Sequence, residues 1–275
     1  MSVARRHPLL RWGWVVLLLP MLPVVHSGNL PTPPASPAPT ASLRVASLRL
    51  PADPQQWLDR REEVRELLDQ LQPDVIAAQE LLQTPDRLNP ACWLAKRLRY
   101  SCDFVTADPP SHPRRRGNAI LSRIPVIEDG VTLLHPPDEF SAAGMLRVQA
   151  GAEAVNVYVA RLPPGAEAAE RRAHQTKDLM AWIRATDGGF PSVIAGDFST
   201  RARELESRLP GFRSSRHAAA DSARLPLAQG VLYQSDRFPA AALEMIELPA
   251  SATGPALPLG VLMTLQLAQK VAASP

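Results

Sequence analysis

The chain has 275 residues, 45% of them hydrophobic, enough for one large domain with a substantial core, and no second globular domain is needed. Thirty Lys and Arg against 27 Asp and Glu leave a net charge of +3, an excess too small to argue for a nucleic-acid-binding surface. The 29 prolines speak against a helical bundle and for strands and loops with short helices.

Residues 1–27 have the layout of a signal peptide or an N-terminal anchor. Arg5, Arg6, His7 and Arg11 precede the apolar run Trp12 to Val25, and Val25-His26-Ser27 offers a cut after Ser27. The run is short and broken by Pro20 and Pro23, which favours cleavage over retention. The expectation is an exported protein, periplasmic or secreted, that touches a membrane only if this segment stays uncleaved. Residues 28–42, rich in Pro, Ala, Ser and Thr without apolar periodicity, read as a disordered linker.

The domain, 43–270, opens with Leu43 to Leu50, whose alternation and β-branching predict a strand. Between Pro54 and Leu71, Trp57, Val64, Leu67, Leu68 and Leu71 recur at helical spacing among charged residues, the pattern of a surface helix that Pro73 terminates. Asp74 to Glu80 is a short buried strand ending on a carboxylate. A helix over Asn89 to Leu98 and a strand over Tyr100 to Thr106 follow. The loop Asp108 to Arg116 carries three consecutive arginines, either solvated or able to grip a phosphate. Strands are expected over 118–122, 144–150 and 154–162, then a helix over 166–185. Pro191 to Gly196 bounds a further buried strand, and Asp197 lies just past its end, where a sheet delivers side chains to a cleft; Gly-Asp there also suits an ordinary helix-capping turn. Strand, helix and strand thus occur twice, with a carboxylate closing each half. Cys92 and Cys102 flank one helix and the next strand, and are either a disulfide or two buried thiols.

Four pieces in this order carry a resemblance: Pro73-Asp74-Val75-Ile76-Ala77-Ala78-Gln79-Glu80, Arg116 to Pro125 (RGNAILSRIP), Arg172 with Gln175, and Gly196-Asp197-Phe198. Together they resemble the endonuclease/exonuclease/phosphatase superfamily of deoxyribonuclease I-like enzymes. The resemblance implies an α/β (α+β) fold, a four-layer α/β/β/α sandwich of two facing mixed β-sheets with outer helices. It also implies Mg²⁺-assisted phosphoester hydrolysis, with a metal held by an Asn and a Glu, a His–Asp pair and an Asp readying water, and an Asn and a second His gripping the phosphate.

Residue by residue, Glu80 falls on the metal-binding Glu and Asp197 on the Asp of the GDFN motif. The metal-binding Asn falls on Arg49, the phosphate-binding His on Arg161, and the GDFN Asn on Ser199. The late-strand Asp falls near Gly230. The segment that would carry the catalytic His aligns with Gly254 to Pro258, and the last histidine in the chain is His217. His112, His135, His174 and His217 read as structural or solvated. A guanidinium cannot ligate Mg²⁺ and neutralises a carboxylate instead, so ion pairs Arg49–Glu80 and Arg161–Asp197, or the crossed pairing, are expected in place of a metal centre. The expected function is a catalytically impaired family member or binding module. Arg49 and Arg161 would be its anion-binding groups, Asp197 and Ser199 remnants of the catalytic site, and Glu80 a doubtful metal position. No cofactor is expected, or Mg²⁺ if the protein is active. The alternative is an active metal-dependent phosphodiesterase, phosphatase or nuclease with an altered site.

Overall fold

The computed structural model describes residues 41–198, 202–218 and 229–268. The leader, most of the linker and Ser199 lie outside the described residues. Ser42, assigned to the linker from composition, instead opens strand β1 (Ser42–Arg49) by pairing with Gln266. β1 runs into helix α1 (Pro54–Leu71), whose first turn is capped by Asp53 accepting from the Gln56 amide at 2.8 Å and whose end turns left-handed at Gln72, one residue before Pro73. Strand β2 (Val75–Gln83) then returns parallel to β1.

Helix α2 (Pro90–Leu98) is capped by Asn89, and β3 (Ser101–Thr106) and β4 (Arg115–Ser122) form an antiparallel pair. Cys92 and Cys102 are joined in a disulfide, tying α2 to β3. β4 begins three residues before the expected strand, so Arg115 and Arg116 belong to the sheet, opposite Gln83 and Leu82. Hydrophobic patterning could not show this, because the pairing holds a polar stretch in extended form.

The second sheet is built from β5 (Val126–Leu133), β6 (Ala142–Ala150), β7 (Glu153–Arg161), β8 (Ser192–Asp197), β9 (Phe212–Ser214) and β10 (Gln229–Gln234). Helix α3 (Ala169–Thr186) connects β7 to the parallel β8, and the short α4 (Ala202–Arg208) precedes β9. β5, α4 and β9 have no clear apolar period and escape the sequence reading. β11 (Ala240–Leu248) and β12 (Leu257–Gln266) close the first sheet.

The strand orders are β11-β12-β1-β2-β4-β3 and β5-β6-β7-β8-β10-β9. The sheets face each other across a core that includes Leu43, Val45, Val75, Val157, Val193 and Val261, all fully buried. Trp57, Val64, Leu68 and Leu94 seal the outer face of the first sheet, and Leu179, Ile183 and Leu205 that of the second. This is the four-layer arrangement, at roughly 1.5–3 kcal/mol for each fully buried large aliphatic side chain. Each parallel pair, β1–β2 and β7–β8, ends at the same edge of its sheet, so Arg49, Glu80, Arg161 and Asp197 are carried towards one cleft.

The chain has three tyrosines, at 100, 158 and 233. Tyr100 donates to the carbonyl of Pro73 at 2.6 Å, and burial pushes its phenol up to about 12. Burial also raises Tyr158 and Tyr233 above the ordinary value of 10.0. Because the folded state holds these protons more tightly, the associated stability is full below pH 10 and fades as pH climbs through the raised values. A spectrophotometric titration of tyrosinate is therefore expected to show no step at the ordinary phenol value, and a tyrosine ionising there in the folded protein would contradict the packing.

Candidate functional site

Glu80 sits in a β-bulge. The pairing of β2 with β4 shifts between Ala78 and Leu81, and Glu80 takes a left-handed φ of 56°. β2 therefore does not end on this carboxylate, as expected, but passes through it to Gln83. A non-glycine residue held in that region costs about 1–3 kcal/mol, and the bulge aims the Glu80 side chain out of the ladder and into the cleft.

Across the cleft, Asp197 ends β8, nearly fully buried. The residue before it must be glycine, since a Cβ on Gly196 would lie 2.0 Å from the carbonyl oxygen of Ala160. The two sheets are joined at this floor by Ser47, whose hydroxyl donates to the Gly196 carbonyl at 3.2 Å from within the core.

The cations complete the site. Arg161, 8% exposed, donates from Nε and Nη2 to Oε1 of Glu80 at 3.2 and 3.1 Å. Its Nη1 lies 3.7 Å from Asp138, and its guanidinium packs over the Phe140 ring, 5.0 Å from the centroid. Arg49, with its side chain 51% exposed, donates to Oε2 of Glu80 and brings Nη1 to 4.0 Å from Asp197. Thus both oxygens of Glu80 are held by guanidinium groups. The Arg49–Glu80 pair forms as the sequence implied. The crossed pairing that the sequence also allowed is present as well, with Arg161 on Glu80 and Arg49 at 4.0 Å from Asp197, and Arg161 forks further to Asp138. Arg161 and Asp197 are register neighbours in the parallel ladder, but it is the bulge at Glu80 that supplies the carboxylate within reach of the guanidinium.

Asp138 and Gln229 stand in the candidate site and were missed by sequence reasoning. Asp138 stands in the 134–141 loop, which is fastened by the Asn118 amide donating to the carbonyls of Phe140 and Ala142 at 3.3 and 3.0 Å. Gln229, not Gly230, lies opposite Asp197. With its side-chain amide turned to match its neighbours, the buried Gln229 accepts from the Arg49 backbone N–H at 2.8 Å and donates to the Leu259 carbonyl at 3.3 Å. The Asn of the RGN segment and a Gln opening a late strand were the available signals. The 249–256 loop is fastened to α1: the fully buried Arg60 donates to the carbonyls of Pro249 and Pro255, both at 2.8 Å.

Other motif residues are structural. Asp74 accepts from the Arg44 amide at 2.8 Å and from Arg123 at 2.7 Å, pinning β1, β2 and β4 together. Arg172 donates to the carbonyls of Pro163 and Gly165, and Gln175 to that of Pro136. His112, His135 and His217 are exposed and stand near Asp108, Asp178 and Glu206, and His174 is exposed on α3. Beside the ion pairs opens a cavity of about 270 Å³ lined in part by Asp138, Phe140, Arg161, Pro163, Glu167 and Arg171.

Residues 27–256 match the Endonuclease/Exonuclease/phosphatase family. The chain belongs to that family. No curated protein matches it in sequence. Among solved structures it is similar to TDP2 from Caenorhabditis elegans, with a TM-score of 0.67 and 16% identity over 82% of this chain and 74% of that one. D. rerio TDP2 complexed with single strand DNA product gives 0.64 and 16% over 82% and 99%. The human Nocturnin catalytic domain with bound sulfate anion gives 0.61 and 17% over 83% and 94%. At such identities the likeness establishes the fold alone.

Family members are generally Mg²⁺-dependent, but the donor set here does not fit a divalent cation. Mg²⁺ needs oxygen ligands in an octahedral shell, and the oxygens of Glu80 point instead at two guanidinium groups that would repel the ion. Among the described residues, no three of His, Cys, Asp and Glu gather as a metal site.

The network makes an asymmetric prediction. Arg161→Ala leaves Glu80 and Asp138 without a buried counter-charge and is expected to cost about 3 kcal/mol, whereas the half-exposed Arg49→Ala is expected to cost under about 1 kcal/mol. Adding Glu80→Ala to Arg161→Ala should recover part of the loss. Urea unfolding of the set checks this, and equal costs for the two arginines would contradict it.

Proposed function

We propose that this protein is an exported member of the family that keeps the fold without the hydrolytic centre and serves as a binding module. The observation that carries the reading is the double occupation of Glu80. The carboxylate that would face a metal is instead bonded through one oxygen to Arg161 and through the other to Arg49. Losing a general base costs ~10²–10⁴-fold and losing metal charge stabilisation several kcal/mol more, so little turnover survives the combination.

Export is supported by the leader-like first 27 residues and by the Cys92–Cys102 disulfide, a bond that persists in oxidising compartments. The ligand we propose is a small anion. Arg161 is committed to Glu80 and Asp138, so the cation that meets it is the half-exposed Arg49, on the open side of the cleft.

Titration of the purified protein with Mg²⁺ and Mn²⁺ in a calorimeter is expected to give no binding heat. Incubation with Mg²⁺ and bis-p-nitrophenyl phosphate, plasmid DNA or phospholipid is expected to give no turnover that distinguishes it from the Glu80→Ala, Asp197→Ala variant. Metal-dependent turnover abolished by that pair of changes would make the protein an active phosphoester hydrolase with an altered site. For the ligand, sulfate binding measured by calorimetry should weaken at least several-fold in Arg49→Ala; binding unchanged in that variant would remove Arg49 from the reading.

A further inference from the structure

The cavity of about 270 Å³ beside the ion pairs is lined by two sets of charges. One set is closed on itself: Arg161 is engaged by Glu80 and Asp138, and Glu139 is engaged by Arg116. The other set is open. Among the described residues, neither the Glu167 nor the Arg171 side chain has a hydrogen-bond or ion-pair partner, although both line the cavity. A glutamate and an arginine four residues further on commonly pair along a helix. Here Glu167 precedes the first turn of α3, and its carboxylate folds back over Gly165, where a Cβ would lie 2.1 Å from Oε1. Gly165, at a left-handed φ of 88°, thus leaves the room that the carboxylate occupies. Arg171 stands in the first turn of α3, which starts at Ala168 without a side-chain cap, so this cation lies beside the positive end of the helix and has no anion to offset it.

We propose that this cavity binds a small zwitterion, an apolar amino acid, with its ammonium group on Glu167 and its carboxylate on Arg171. Two open charges of opposite sign on one cavity select such a ligand. An anion alone would meet the Glu167 carboxylate, and a cation alone would meet Arg171. Phe140, Pro163, Pro164 and Ala168 give the same cavity an apolar lining, which suits an aliphatic side chain. Size sets the upper limit. At about 30 Å³ per water molecule the cavity has room for about nine, which matches a ligand of roughly ten non-hydrogen atoms and not a nucleotide or an oligomer. The site uses the two charges that the ion-pair network leaves out, so it is separate from Arg49 and does not rest on the reading of the cleft as an anion site.

The test is calorimetric titration of the full chain with L-leucine, with N-acetyl-L-leucine, which lacks the ammonium group, and with L-leucinamide, which lacks the carboxylate. L-leucine is expected to bind, and each derivative to bind more weakly by about tenfold or more. Glu167→Gln should weaken L-leucine to the level of N-acetyl-L-leucine, and Arg171→Gln should weaken it to the level of L-leucinamide. Both side chains are exposed, so the thermal unfolding curves of the two variants should match that of the parent. Arg49→Ala should bind L-leucine as the parent does, which separates this site from sulfate binding in the cleft. No binding of L-leucine, or binding that neither substitution at 167 or 171 changes, would overturn the inference. So would a preference for either derivative over L-leucine: N-acetyl-L-leucine would make this an anion pocket, and L-leucinamide an amine pocket.

Discussion

The architecture of the cleft rests on how one carboxylate is neutralised. Glu80 is fixed in a left-handed bulge and most of its side chain is withdrawn from water, a position that demands a counter-charge, because an uncompensated buried carboxylate is among the costlier features a fold can carry. Here the counter-charge comes from the protein itself. Arg161 rises from the end of β7 and Arg49 from the end of β1, so each sheet contributes one guanidinium. The carboxylate is thus a point at which the two halves of the sandwich are bound, alongside the Ser47 to Gly196 hydrogen bond at the cleft floor.

This neutralisation organises the surrounding loops. Arg161 also draws in Asp138 and stacks on Phe140, and Asn118 holds the same loop from below through two backbone carbonyls. On the other side, Gln229 clasps the backbone of Arg49 and that of Leu259. A network of this kind is directional, because guanidinium groups satisfy carboxylates in a plane and leave no octahedral shell of oxygens. The fold of a metal-dependent family is thus kept, with both oxygens of Glu80 engaged by the chain's own guanidinium groups.

Much of this was legible in the sequence, for reasons that differ by residue. Helix α1 could be read to its last residue because Trp57, Val64 and Leu68 repeat at helical spacing between Asp53 and Pro73. The positions of Glu80 and Asp197 were legible because each closes a short apolar run, and those of Arg49 and Arg161 because the resemblance to the family's motifs placed them beside these carboxylates. The bulge was not, because nothing in Gln79-Glu80-Leu81 announces a left-handed residue. The sequence therefore left open whether Arg161 would meet its ladder neighbour Asp197 or cross to Glu80, and the re-aimed Glu80 lies within its reach. Asp138 was hidden in a loop whose path depends on Asn118, a residue distant in sequence. β5 was hidden because the half-buried positions Gly130 and Thr132 carry no large apolar side chain, so alternation of burial leaves no trace in its composition.

The central claim is that two guanidinium groups occupy the place of a metal ion. Its most direct test is a crystal of the protein soaked in Mn²⁺ and measured at a wavelength where manganese scatters anomalously. The account predicts no anomalous peak within ligand distance of Glu80, with Arg49 and Arg161 on its two oxygens. A manganese peak on Glu80 with either arginine displaced would contradict it.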